Sequence, residues 1–223
     1  MAHQNDSFVH EVNEELRSDR MRTVWSRYSG LLIALAVLIV LGTAGTAGYE
    51  YWSRSRASNA GDQFMAALKL ATDGKSDDAL AAFTAIEAQG HGDYPVLARM
   101  RSATLLATKG DNAGAVAAFD AIGKDSSVPA IIRDVAHIRA AWLLIDTGTY
   151  AQVSAEAEVL STPENALRYS AREALGLSAY KAGELIKAKE WFKQIVDDAG
   201  APRNVSNRAQ MMLDVIAASG KAP

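Results

Sequence analysis

The stretch Gly74–Ile86, GKSDDALAAFTAI, decides the fold because it returns at Gly110–Ile122 as GDNAGAVAAFDAI. Weaker copies follow at Gly148–Leu160, GTYAQVSAEAEVL, and at Gly183–Ile195, GELIKAKEWFKQI. Each copy opens on a glycine. Five residues on stands Ala79, Ala115, Val153 or Ala188, and nine on stands Phe83, Phe119, Ala157 or Phe192. An aliphatic residue closes the set at Ile86, Ile122, Leu160 or Ile195. The glycines are 36, 38 and 35 residues apart. A second marker keeps nearly the same time: Pro95, Pro129 and Pro163 are 34 apart, and Pro202 follows after 39. Two markers at one period specify a repeated supersecondary unit that cannot bury its apolar face alone.

Each mark has a physical reading. Glycine ends a helix because it takes the left-handed cap conformation without strain. Asp77, Asp78 and Asp111 then put negative charge at the first turn of the next helix. Alanine lets two helices approach closely, and phenylalanine fills the gap between pairs. Proline suits the first turn of the following helix, where its missing donor is not needed. One unit is therefore a helix–turn–helix of about 34 residues. The expected fold class is all-α. It comprises one N-terminal transmembrane helix, then an α-solenoid of about four degenerate helical hairpins, then a C-terminal capping helix over residues 203–219. Composition agrees: hydrophobic residues make up 49% of the 223 but aromatics only 7%, so alanine supplies the balance.

Upstream of the repeats, no charged residue occurs from Ser29 to Tyr49. The run Leu31–Leu41, LLIALAVLIVL, continues into GTAGTAG at Gly42–Gly48. About 20 apolar residues cross a bilayer as a helix, and Trp25, Tyr28, Tyr49, Tyr51 and Trp52 flank the run as interfacial residues do. A cleaved signal peptide is the weaker reading, because 28 residues carrying Glu11, Glu14, Glu15 and Asp19 precede the run. Arg17, Arg20, Arg22 and Arg27 lie before it, against Arg54 and Arg56 just after, which favours a cytoplasmic N-terminus. The expected division is a cytoplasmic amphipathic tail over 1–28, a membrane helix over 29–52 and an external repeat domain over 53–223. Gly42, Ala44, Gly45 and Gly48 either admit a second membrane helix closely or face lipid. The stripe Phe8, Val9, Val12, Leu16, Val24, Trp25 and Tyr28 fits a short amphipathic helix or a plain topogenic tail.

Catalysis finds little support. The chain has no cysteine, which removes disulfides, thiolate metal sites and thiol nucleophiles. His3, His10, His91 and His137 do not pair at helical spacing, so no metal site is expected. No phosphate loop or nucleophile elbow occurs, so neither a cofactor nor a small-molecule substrate is expected and the chain reads as a non-enzyme. A net charge of −3 argues against nucleic acid as a partner.

The repeat pattern resembles the tetratricopeptide repeat family, with Ala67, Ala103, Ala141 and Gly176 at the small position seven before each glycine. It departs from that pattern in lacking the early aromatic of the first helix, in its displaced prolines, and in Val153 and Ala157. The layout as a whole is the tail FVHEVNEELRSDRMRTVWSRYS, one span, YEYW and four alanine-rich repeats. It is similar to the single-span, tetratricopeptide-like ancillary subunit of the bacterial Sec (SecYEG) translocon. That resemblance implies an inner-membrane protein with a periplasmic repeat domain, whose partners are the bilayer, translocon subunits, and periplasmic chaperones or exported polypeptides. A scaffold for envelope assembly or cell division is the alternative.

In the resembled family the first helix of each hairpin lines a protein-binding groove. Carried over by position, this implies Phe64 and Leu68, then Leu97, Met100 and Thr104. It further implies Ile138, Trp142 and Ile145, and finally Glu173, Leu177 and Tyr180. Apolar stripes at helical spacing are also what a core looks like, so both readings stand for Trp142. Some members of the family hold a C-terminal carboxylate with basic and amide residues in this groove. Phe64, Met100, Ile138 and Glu173 occupy those places here, and no such clamp is implied.

Overall fold

The computed structural model describes residues 3–89 and 91–220, and of their side chains those of 25–27, 29–89 and 91–220. All regular structure among the described residues is helical. The order is α1 (His3–Thr72), α2 (Ser76–Gln89), α3 (Tyr94–Thr108), α4 (Asn112–Gly123), α5 (Ala130–Thr147) and α6 (Tyr150–Ala157). A 3-10 turn (Glu158–Leu160), α7 (Arg168–Lys181), α8 (Leu185–Val196) and α9 (Arg203–Ala218) follow. The chain divides into two compact units, Met1–Arg56 and Ala57–Pro223, and α1 contributes to both.

In the first unit, α1 carries the apolar run. The helical stretch Ser29–Thr72 contains a window long and apolar enough to cross a membrane, and none of that window is buried in the protein. The Thr43 hydroxyl donates to the Ile39 carbonyl at 2.9 Å, and that of Thr46 to the Thr43 carbonyl at 2.9 Å. Both hydroxyls are thereby satisfied within the helix itself. A Cβ placed at Gly42, Gly45 or Gly48 would meet no atom within 4 Å, and Ala44 is exposed. The amphipathic face expected over residues 8–28 lies outside the described side chains, apart from the exposed Trp25.

In the second unit each helix packs on its neighbours in sequence, from α2 on α3 through to α8 on α9. In addition α5 touches α7, and α7 touches α9. The sequence marks become the core. Ala79, Phe83 and Ile86 are buried with Ala67 and Ala98. Ala103, Phe119 and Ile122 form the next cluster with Ala136 and Ala140. Val153, Ala157 and Leu160 join Ala141, Leu144 and Leu175. Ala188, Phe192 and Ile195 join Ala179, Ala209 and Ile216. In the last pair the ring of Phe192 lies so close to α7 that a Cβ at Gly176 would sit 2.8 Å from it.

Turn chemistry repeats too, with one exception. Gly74, Gly110 and Gly183 have φ of 79, 88 and 78°. Each donates its N–H to the carbonyl three back, while the next residue donates to the carbonyl five back, as Lys75 does to Leu70. This double bond ties off the carbonyls left open at a helix end. Gly148 departs from the expectation of a left-handed cap. Its φ is −119° and its ψ −164°, an extended conformation. There the next helix starts on a capping box instead: Thr149 Oγ1 accepts from the Gln152 N–H, and Gln152 Oε1 accepts from the Thr149 N–H.

Of the four marking prolines, Pro95 sits as expected and the other three do not. Pro95 lies inside the first turn of α3. Pro129 and Pro202 are instead the caps before α5 and α9, their carbonyls accepting the first helical N–H groups. Pro163 lies in the connection ahead of α7. Their fixed φ orients the chain into the helix without occupying its interior.

Candidate protein-binding face

The candidate face is carried by the C-terminal part of α1 and by α3, α5 and α7, the first helix of each pair. On α1, Phe64 and Leu68 are half-buried and lean on the first core cluster. The ring of Phe64 is 5.8 Å from that of Phe83 and 5.6 Å from that of Tyr94, in tilted contact. On α3, Leu97 is 40% exposed, while Met100 and Thr104 are half-buried.

Thr104 links α3 to α5. Its hydroxyl donates to the Met100 carbonyl at 2.9 Å and accepts from Arg139 Nη1 at 3.3 Å. A cavity of about 370 Å³ opens here, lined by Thr104, Ala107, Thr108, Phe119, Arg139 and Leu143. On α5, Trp142 is 38% exposed and Ile145 half-buried. On α7, Leu177 is half-buried and Tyr180 is 36% exposed. Lys181 Nζ donates to the Ile145 carbonyl at 2.8 Å and to the Asp146 carbonyl at 2.6 Å. It thus places a cation on the C-terminal end of α5 and ties α7 to it.

Two residues expected in the groove lie in the interior and offer no surface to a partner. Ile138 is buried among Ala141, Leu144, Val153 and Ala171, because α6 and α7 both close on that side of α5. Glu173 is 4% exposed. It is covered because α9 folds over α7 and supplies Arg208, whose Nε and Nη2 donate to the two carboxylate oxygens at 2.6 and 2.7 Å. That bidentate pair raises the Arg208 pKa above its ordinary value.

Ion pairs fix the loops between helix pairs. Arg99 on α3 reaches Glu87 on α2 and, at 2.6 Å, Asp125 after α4. The Ser127 hydroxyl and then the Arg99 guanidinium lower the Asp125 pKa to about 2. Asp198, between α8 and α9, is also lowered, chiefly by the Gly200 N–H and then by the Tyr169 hydroxyl.

One cluster lies beyond the reach of helical spacing rules. Asp120 on α4, His137 on α5 and Glu156 on α6 bring one donor atom each within 4.8 Å of one another. They are 17 and 19 residues apart in sequence, so only the packing of three helices unites them. No local pattern signals such a group.

Leu97, Trp142 and Tyr180 are thus large side chains left part-exposed on three consecutive first helices. The chain matches the family model described as a tetratricopeptide repeat-like domain over residues 22–218, which is most of its length. No curated protein matches it. With the helix pairs, their glycine turns and their buried small-residue and phenylalanine marks in agreement, the chain belongs to the tetratricopeptide repeat-like family.

Proposed function

We propose that the chain is a membrane-anchored, non-catalytic protein–protein interaction module. In this reading an α-solenoid outside the bacterial inner membrane takes extended polypeptide segments during Sec-dependent export or the folding that follows. A tetratricopeptide repeat-like domain is in itself the sign of a protein-interaction module. The exposure of Trp142, at 38%, carries the binding part of the proposal. A tryptophan held between water and core, with Leu97 and Tyr180 similarly placed on α3 and α7, has the composition of a binding hot spot. Part-exposed aromatic and aliphatic side chains of this kind suit the apolar side chains of a bound polypeptide.

Anchoring is supported by the unburied apolar window of α1, and the arginine bias before it favours an N-terminus in the cytoplasm. The Sec assignment rests on the arrangement of tail, single span and degenerate repeats. Photo-cross-linking in intact membranes tests it. A probe between residues 8 and 52 is expected to capture translocon subunits, and a probe beside Trp142 to capture exported polypeptides or their chaperones. Trp142→Ala is expected to abolish the second capture with little change in melting temperature. Capture of division or outer-membrane assembly factors by both probes would refute the export reading and support an envelope scaffold.

A further inference from the structure

We propose that Asp120, His137 and Glu156 form a binding site for a transition-metal dication of the zinc class, held between α4, α5 and α6. One donor atom from each residue lies within 4.8 Å of the other two. His137 Nδ1 is 2.7 Å from Glu156 Oε2. Asp120 Oδ2 accepts from Lys124 Nζ at 2.8 Å. Asp120 Oδ1 is buried and has no hydrogen-bond partner, the sole such carboxylate oxygen among the described residues. A buried carboxylate oxygen left without a donor is costly, and a water or a cation entering through the neighbouring cavity would satisfy it.

The backbone is cut to fit the imidazole. Gly123 is buried at the end of α4, and a Cβ there would fall 2.5 Å from His137 Cε1 and Nε2. Any other residue would drive the ring from its place beside the two carboxylates. A cavity of about 440 Å³, lined by Asp120, Lys124, Glu156, Gln152 and Thr147 among others, gives the ion a path from solvent.

The donor set selects the metal. One imidazole nitrogen with two carboxylate oxygens suits Zn²⁺ and its neighbours, whereas Mg²⁺ and Ca²⁺ prefer oxygen alone and Cu(I) prefers sulfur. Three protein ligands leave a fourth position, on the side of the cavity, for water. The location explains why such an ion would be useful. The third repeat has Ala157 where its neighbours have Phe83, Phe119 and Phe192, and α6 is only eight residues long before it tightens into a 3-10 turn. A dication joining α4, α5 and α6 would add a link where the repeat carries alanine in place of phenylalanine and its second helix is short.

Isothermal titration calorimetry of the full-length chain tests this, with metal stripped by chelator, no polyhistidine tag and ZnCl₂ as the titrant. The expected result is one Zn²⁺ per chain with a Kd in the micromolar range or below. His137→Gln and Asp120→Asn are each expected to weaken it by at least about tenfold, while His91→Gln leaves it unchanged. Zinc is expected to raise the melting temperature of the wild-type chain but not of His137→Gln. Glu156→Gln, nearly isosteric, serves in place of His137→Gln if the circular dichroism of that variant shows misfolding. No saturable binding at about 1 mM zinc, or binding that survives both the His137 and Glu156 substitutions, would overturn the proposal.

Discussion

Arg208→Ala should destabilise the repeat unit more than Glu173→Gln does, although the two residues share one ion pair. The reason is the unequal burial of the partners. The Glu173 side chain is 6% exposed and that of Arg208 47%. Truncating Arg208 strands a carboxylate in the interior, and breaking a buried pair in this way costs about 3–5 kcal/mol. Because the vacated volume borders the surface of α9, water can reach one edge of the carboxylate, which brings the expectation down to about 2–3 kcal/mol. Glu173→Gln instead leaves a half-exposed guanidinium that water can solvate, and the glutamine oxygen still accepts one of its bonds. The loss there should be about 1 kcal/mol. For a domain of this size 1 kcal/mol moves Tm by roughly 2–4 °C, so the falls should be about 5–10 °C and 2–4 °C. Thermal unfolding of the full-length chain, followed by circular dichroism, reads both. Hydrogen exchange locates the damage: the α9 amides should lose protection in Arg208→Ala first, because that helix is held to α7 through Glu173. The double substitution Glu173→Leu with Arg208→Leu should return close to wild-type stability, since no charge is left inside. Equal losses in the two single variants, or a larger loss in Glu173→Gln, would refute this account of which partner is buried.

Three further substitutions probe other features. Gly176→Ala gains about 1 kcal/mol of helix propensity but drives a methyl to 2.8 Å from the buried Phe192 ring; a net loss of about 1–2 kcal/mol in thermal unfolding is expected, removed when Phe192→Leu is added. Thr149→Ala removes the capping box at the start of α6 and should cost about 1 kcal/mol, measured by chemical denaturation. The folded-state pKa of Asp125 is depressed to about 2, so its contribution is present above the unfolded value near 4 and is lost as pH falls from about 4 towards 2. Asp125→Asn should therefore melt below wild type at pH 7, and the two curves should converge only below about pH 2.

Fold and site differ in how far they could be read from the chain. Gly74, Gly110 and Gly183 announce their turns because the constraint is local: a positive φ at the end of a helix is a property of one residue. The small-residue and phenylalanine marks are equally plain, since each pair must bury the same face against its neighbour, and Ala79, Phe119 and Ile195 are all interior. Gly148 looks the same in sequence, but the chain solves that turn through a capping box of Thr149 and Gln152, which outranks the glycine.

The candidate face was harder to read because burial there depends on how far each helix rolls and on what closes over it. Ile138 and Trp142 lie on the same helix, and α6 and α7 bury the first while leaving the second part-exposed. Glu173 looks like a groove residue until Arg208, 35 positions away, folds over it. Asp120, His137 and Glu156 meet only because α4, α5 and α6 are packed together, which no single-helix period encodes. In a repeat array the period specifies the contacts that recur, and the chemistry that makes one member distinctive lies in the contacts that do not. Here Trp142 and the imidazole of the cluster both fall on α5, in the repeat that carries Ala157 in place of phenylalanine. The third repeat is thus where the chain departs furthest from its own pattern, in the Gly148 turn, in Ala157 and in the short α6, and such departures are where function is to be sought.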